Sequence, residues 1–85
     1  MLKLFKKRKP TNQVKTLRET LGLTQKGFAA KVEAISFERV GKVTPLSWQT
    51  VRSIEEFCYI PTFGLAQLIA EALEEDLEVV FFKLT

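Results

Sequence analysis

Apolar residues recur at helical spacing in four stretches of the chain, and each stretch follows a residue that can cap a helix. The pattern predicts helices over about residues 12 to 21, 25 to 32 and 48 to 56, and a fourth that begins after residue 62. In the fourth stretch leucine, isoleucine and alanine form a wide apolar stripe, with the glutamates away from it. The predicted N-caps are Thr11 or Asn12 for the first helix, then Thr24, Ser47 and Thr62.

The last stretch, residues 77 to 84, has a different pattern. β-Branched and aromatic residues dominate it and no turn residue interrupts them, which predicts a β-strand. Both faces of this strand would be apolar, and the chain has no second strong strand to pair with it. The alternative is a disordered or helical tail. We expect the strand to pair with the same strand of a second copy through Val79, Val80, Phe81 and Phe82.

The length of the chain, 85 residues, fits one small domain, and the patterns predict an all-α bundle with one C-terminal strand. A domain of this size is marginally stable, which makes a partner chain plausible. The apolar runs are too short to cross a bilayer. The single cysteine, Cys58, excludes an internal disulfide, and no secretory pattern is visible, so we expect a cytoplasmic protein.

Several chemistries require residues that this chain does not contain. It has no histidine, which excludes histidine-based acid–base catalysis, Ser-His and Cys-His nucleophilic pairs, and histidine-containing zinc sites. The four glycines are scattered and match no phosphate-binding loop. We therefore expect no enzyme activity and no bound cofactor or metal.

Charge is distributed unevenly along the chain. Twelve of the 13 lysines and arginines lie in residues 1 to 52, whereas seven of the ten acidic residues lie in residues 53 to 85. A cationic surface attracts polyanions at long range and releases counterions when it meets phosphates. We therefore expect double-stranded DNA as the partner, approached by the N-terminal half of the chain.

The densest basic run, residues 6 to 9, lies in an N-terminal arm formed by residues 1 to 10. We interpret this segment as an arm that follows the DNA backbone or enters the minor groove. One alternative is a solvated tail with no specific role. Another is an anchor on an anionic membrane surface, but the few apolar residues of the arm would make that anchor weak.

Two segments resemble a known family. LRETLGLTQKGFAAKV, residues 17 to 32, closely resembles the first two helices of the lambda-repressor and Cro-like helix-turn-helix proteins, the XRE-like family, and its LTQ tripeptide stands where that family opens its second helix. SWQTVRSIEEFCYIPTFGLAQLIAEAL, residues 47 to 73, resembles the recognition helix, the following loop and the next core helix. The two segments cover about half of the chain. The ending ALEEDLEVVFFKL is similar to antitoxins of the HipB and HigA type, in which a C-terminal strand pairs across a dimer.

The resemblance implies a lambda-repressor-like helix-turn-helix domain over residues 11 to 76 and a dimerisation strand over residues 77 to 85. The function it implies is a homodimeric repressor that binds a two-fold symmetric DNA site, in a phage, plasmid or toxin–antitoxin context. A competing interpretation is an antitoxin or other interaction protein that holds a toxin or another regulatory protein with its acidic end. A third is a non-specific binder that uses only the N-terminal arm.

The chain departs from the family in two places: between its second and third predicted helices, and in the loop after the third helix, where residues 56 to 60 stand in place of the family's usual Asn-Gly and basic residues and offer a surface for another protein. The two DNA-binding helices of a helix-turn-helix are normally joined by about three or four residues, whereas 14 residues, 33 to 46, lie between them here. We interpret these residues as an insertion that forms a short hairpin turning at residues 40 to 42. The alternative begins the recognition helix at Ser36, but Gly41 and Pro45 would break that helix within two turns.

By the resemblance, the exposed face at the start of the third predicted helix reads bases in the major groove. Gln49 can form two hydrogen bonds with adenine, and Arg52 two with guanine. Gln25 contacts a phosphate. Trp48 either touches a thymine methyl group or packs against residues 33 to 46. The alternative for the whole helix is an amphipathic helix whose polar side faces water. The predicted DNA-binding residues are Lys7, Arg8, Lys9, Gln25, Arg39, Lys42, Trp48, Gln49, Thr50, Arg52 and Ser53.

Overall fold

The computed structural model describes residues 12–82, and these residues form four α-helices and one short π-helical turn. The helices are α1, Val14–Thr20; α2, Gln25–Val40; α3, Trp48–Glu55; and α4, Phe63–Ala72; the π-helical turn is Glu78–Phe82. The all-α prediction is confirmed, and each of the four predicted helices is present. No helix in this part of the chain has both the length and the apolar character needed to cross a bilayer.

Side-chain caps fix where three of the helices begin. The Oγ1 of Thr24 accepts a hydrogen bond from the backbone N–H of Gly27 at 2.9 Å, and Ser47 and Thr62 accept in the same way at the starts of α3 and α4. These three predicted N-caps are confirmed, because each satisfies a backbone N–H that has no partner within its helix. At α1 the N-cap position is Gln13, and Asn12 contributes its Oδ1, which accepts from the N–H of Val14 at 3.0 Å.

The hydrophobic core lies between α2 and the helices that follow it. α2 packs against both α3 and α4, and α1 packs against α3. Phe28, Ile54 and Ile69 are fully buried, and burial of a side chain of this size contributes about 1.5–3 kcal/mol. The other buried apolar residues of the core are Val14, Ala29, Val32, Leu46, Val51, Ala70, Ala72, Leu73 and Val80.

The second helix is longer than predicted. It was expected to end near residue 32, but α2 continues to Val40, so the hairpin predicted within residues 33 to 46 is wrong. The reason is that Ser36 lies one turn beyond Val32 on the buried face of the helix. Its hydroxyl binds the backbone of residues 42 and 44, where the chain turns back along the helix. Its Oγ donates to the carbonyl of Lys42 at 3.1 Å and accepts from the N–H of Thr44 at 2.7 Å. Residues 33 to 46 are therefore mostly a helical extension followed by an extended linker.

The predicted C-terminal strand is also wrong for the residues that the structure describes. Residues 78 to 82 form the π-helical turn, in which Val80 is 1% exposed and belongs to the core of its own chain. Leu77, Val80 and Phe81 recur at the i, i+3, i+4 spacing of a helix and all pack against that core. Val80 and Phe81 are thus covered by other residues of the same chain. The β-strand predicted for Val79, Val80, Phe81 and Phe82 is therefore wrong, whereas dimerisation through these residues stays a prediction.

Two glycines allow a test of the backbone with opposite expected signs. Gly41 ends α2 in the left-handed conformation, with φ of 85°, and an added Cβ would meet no atom within 4 Å. Gly41→Ala should therefore lower the free energy of unfolding by about 1–2 kcal/mol, because only the conformational cost applies.

Gly64, in the first turn of α4, also has open space around it, so Gly64→Ala should raise the free energy of unfolding by about 0.4–1 kcal/mol. Urea denaturation measures both, and a change of the same sign in both variants would contradict the end of α2 at Gly41 or the start of α4 before Gly64.

Candidate nucleic-acid interface

α3 is an eight-residue amphipathic helix with one buried and one solvent-exposed face. Val51, Ile54 and Glu55 are buried, whereas Gln49 and Arg52 are exposed. The remaining predicted readers on this helix, Trp48, Thr50 and Ser53, are partly exposed. The structure thus brings the two side chains with the strongest base-reading chemistry to one accessible face.

A buried ion pair anchors α3 to α1. The Nε of Arg18 donates to Oε2 of Glu55 at 2.6 Å, and its Nη2 donates to Oε1 at 3.1 Å. The two side chains are only 8% and 2% exposed. The hydrogen bond to Glu55 raises the pKa of Arg18 above its already high ordinary value, so the guanidinium stays charged. A bidentate pair of this kind fixes orientation as well as distance.

The same ion pair also holds the turn between α1 and α2. The Nη1 of Arg18 donates to the carbonyl of Leu23 at 2.8 Å, and the Nε2 of Gln25 donates to Oε1 of Glu55 at 3.0 Å. The side chain of Gln25 therefore positions α3 from the first residue of α2. The phosphate contact predicted for Gln25 stays a prediction.

Sequence reasoning missed the roles of Arg18 and Glu55, although the sequence contains a signal for both. Arg18 follows Val14 by four residues, and Glu55 follows Val51 by four residues, so each charged residue lies on the apolar face of its helix. Two opposite charges at core positions of two helices indicate a buried pair, because an isolated buried charge is too costly to retain.

The first turns of α2 and α3 lie side by side. The ammonium Nζ of Lys26 is 5.9 Å from the centroid of the Trp48 ring, within the range of a cation–π interaction. Trp48 therefore contacts the first turn of α2, a neighbour that neither of the two predicted roles for this ring included. The Lys26 ammonium thus lies next to the first residue of α3.

Four other predicted residues occupy different surroundings. Arg52 pairs with Glu56 one turn later at 3.1 Å, and both side chains are more than half exposed. Thr50 shares a hydrogen bond with the Ser47 hydroxyl, and the carbonyl of Ser53 accepts from the N–H groups of Cys58 and Tyr59, which closes the turn after α3. Lys42 is exposed at the start of the linker.

Two cations of α2 pair with glutamates at the end of α4 and just after it. Arg39 forms an ion pair with Glu71, and Lys31 forms one with Glu74 at 3.2 Å. The DNA contact predicted for Arg39 would require this residue to exchange its partner. Since exposed pairs of this kind contribute only about 0.2–1 kcal/mol, such an exchange is inexpensive.

The predicted arm residues Lys7, Arg8 and Lys9 lie outside the described residues, but the point from which the arm extends is defined. The side-chain amide of Asn12 donates to the carbonyl of Ile54 at 2.9 Å, and the N–H of Gln13 donates to the carbonyl of Val80 at 2.9 Å. The first described residues, which follow the arm in the sequence, therefore lie between the C-terminal end of α3 and the π-helical turn.

Comparison of the chain with the models of known protein families and with curated proteins finds no match in either. Among residues 12–82, no group of three or more cysteine, aspartate or glutamate side chains could hold a metal ion. The assignment of a function therefore depends on the geometry of α3 and its surroundings.

Proposed function

We propose that this chain is a sequence-specific DNA-binding regulator of transcription, in which α2 and α3 form a helix-turn-helix with a lengthened first helix. α3 enters the major groove, and its exposed face reads bases. The observation that carries the proposal is that α3 holds Gln49 and Arg52 on its exposed face while its other face is anchored. Ser47 caps the start of this helix, and the Arg18–Glu55 pair binds its buried face to α1. Fixing a reading helix before contact reduces the ordering cost of binding.

The chemistry of these two side chains matches base recognition. A glutamine can bind the N6 and N7 edge of adenine with two hydrogen bonds, and an arginine the O6 and N7 edge of guanine. Among the residues that the structure describes, the ion-pair partner of Arg52 is Glu56, and this pair is exposed. Because a surface pair is weak, a guanine can replace Glu56 as its partner. Lys26 and the start of α2 lie next to Trp48 and supply a cationic flank.

The test requires a preferred duplex, obtained by selection from random DNA. We expect Gln49→Ala and Arg52→Ala each to reduce the preference for that duplex over random DNA by about 1–3 kcal/mol, because each removes a base contact. Deletion of residues 1 to 9 should instead weaken binding to every sequence and flatten the salt dependence. Fluorescence anisotropy over a range of salt concentrations measures both effects.

Matched controls come from the other side of the molecule. Gln67 is exposed on α4, and Lys31 pairs with Glu74, so Gln67→Ala and Lys31→Ala should leave the sequence preference unchanged. Base reading by α3 would be rejected if Gln49→Ala and Arg52→Ala weakened selected and random DNA equally.

A second candidate function is the binding of another protein, and one surface favours it. In the loop between α3 and α4 and the start of α4, Tyr59, Ile60 and Phe63 are 43%, 71% and 63% exposed. Clusters of exposed apolar side chains commonly mark protein contacts. If the chain is a DNA-binding regulator, the partner at this surface is a second copy of the chain. A dimer can place its two reading helices about 34–36 Å apart, which is one turn of DNA. An antitoxin would need a different protein there. Specific DNA binding by the purified chain alone, at physiological salt, favours the regulator.

A further inference from the structure

A groove of about 880 Å³ lies on the side of the molecule formed by the end of α2, α4 and the residues after α4. Its apolar wall includes Val40, Leu65, Leu68 and Leu77. The side chain of Val40 is 61% exposed, and those of the three leucines are partly exposed. Because burial of exposed apolar surface is favourable, a segment of polypeptide with apolar side chains can bind in this groove.

The end of this groove formed by the residues after α4 is acidic. Glu71, Glu75 and Asp76 line it, and Arg39 neutralises Glu71. Glu75 and Asp76 form no ion pair with any other residue between 12 and 82. Within the described part of the chain the groove therefore combines apolar surface with two carboxylates that pair with no cation, and the segment that fits it is both apolar and cationic.

The chain contains such a segment next to the groove. The arm MLKLFKKRKP, residues 1 to 10, has four apolar side chains in its first five residues and five lysine or arginine residues in all. Gln13, three residues after the arm, donates its N–H to the carbonyl of Val80, which is three residues from Leu77 in the groove wall. Eleven extended residues span at most about 36–40 Å, whereas the ten residues of α4 are about 15 Å long. The arm can reach every part of the groove.

We propose that this groove binds the chain's own N-terminal arm when DNA is absent. Met1, Leu2, Leu4 and Phe5 cover the apolar wall, and the arm's cations face Glu75 and Asp76. Attachment to the same chain gives the arm a high effective concentration, in the millimolar range for short flexible linkers, which favours it over a free peptide of the same composition.

DNA competes with the groove for this arm, an inference that rests on the proposed function. Asn12, two residues after the arm, contacts the carbonyl of Ile54 near the end of α3, so the arm is attached close to the reading helix as well as to the groove. Contacts with two exposed carboxylates are weak and sensitive to salt. A DNA duplex carries one phosphate charge per about 1.7 Å of its axis and therefore displaces the carboxylates. Because the arm must leave the groove before it binds any duplex, the groove lowers the affinity of the chain for DNA, whether or not α3 is engaged.

Docking of the arm can be tested without DNA. A nitroxide label on Phe5→Cys, in the full chain carrying Cys58→Ser, should broaden the backbone amide signals of Leu68, Asp76 and Leu77 at low salt. The broadening should disappear in the double variant Glu75→Gln/Asp76→Asn. It should remain in Glu19→Gln/Glu38→Gln, which changes the net charge equally outside the groove. Uniform broadening, or broadening that is unaffected by the groove variant, would overturn the docking.

Competition is tested by affinity for random DNA at about 50 mM salt. Glu75→Gln/Asp76→Asn should bind random duplex about three- to tenfold more tightly than the unmodified chain, as expected from the loss of two exposed ion pairs that hold the arm. When residues 6 to 9 are all replaced by glutamine, the groove variant should no longer change the affinity. An equal gain in both backgrounds would indicate general electrostatics and reject competition. If the chain binds no DNA, the proposed function fails while the label experiment still decides the docking.

Discussion

Replacement of Glu55 by alanine should lower the free energy of unfolding by about 3–5 kcal/mol, because it leaves a buried charge without its partner. The Arg18 guanidinium is 8% exposed and would lose both hydrogen bonds to the carboxylate. Gln25 would lose its acceptor as well. For a domain whose total stability is about 5–15 kcal/mol, this loss is a large fraction of the total. Urea denaturation followed by circular dichroism measures it.

Two further variants identify the cause. Glu56→Ala removes the neighbouring carboxylate, which forms only an exposed pair with Arg52, and should cost less than about 1 kcal/mol. Arg18→Met combined with Glu55→Leu removes both charges and should recover much of the stability that Glu55→Ala loses. If Glu55→Ala were no more harmful than Glu56→Ala, the buried network would not anchor α3.

Val80→Asp should lower the free energy of unfolding by about 4 kcal/mol or more, because it places a carboxylate in the core of a single chain. Val80 is 1% exposed, and its carbonyl accepts from Gln13, so the turn and the start of the fold depend on each other. The measurement combines urea denaturation with the molar mass from light scattering.

Val79 provides the comparison within the same turn. Its side chain is only partly buried, so Val79→Asp should destabilise the chain less than Val80→Asp does. A strand shared by two chains would respond differently, since a charge there would halve the molar mass and leave the monomer stable. Such a result for Val80→Asp would restore the inter-subunit strand that the structure replaces with a helical turn.

Local chemistry allowed the helix starts to be predicted, whereas the helix ends depended on distant contacts. A cap needs only a side-chain oxygen and an N–H three residues later, so Thr24, Ser47 and Thr62 could be found from the sequence. The end of α2 depends on Ser36, whose partners lie six and eight residues away across the turn. The C-terminal segment was misassigned because β-branched and aromatic residues suit either a strand or a helical turn packed on a core.

The candidate site was predictable to a similar extent. The exposed face of α3 follows from the spacing of its apolar residues, and Gln49 and Arg52 lie on it as expected. The pair that holds this helix joins residues 37 positions apart, which no local pattern links. The role of Gln25 depends on that pair and could not be anticipated without it.

The indole of Trp48 has a consequence for the study of this molecule in solution. It is the chain's only tryptophan, and it lies at the junction of α2 and α3 beneath the Lys26 ammonium. Its ring is partly open to water, so its emission depends on whatever occupies that junction. The protein thus contains an intrinsic optical reporter at one known point, and binding to this surface can be followed without an attached dye.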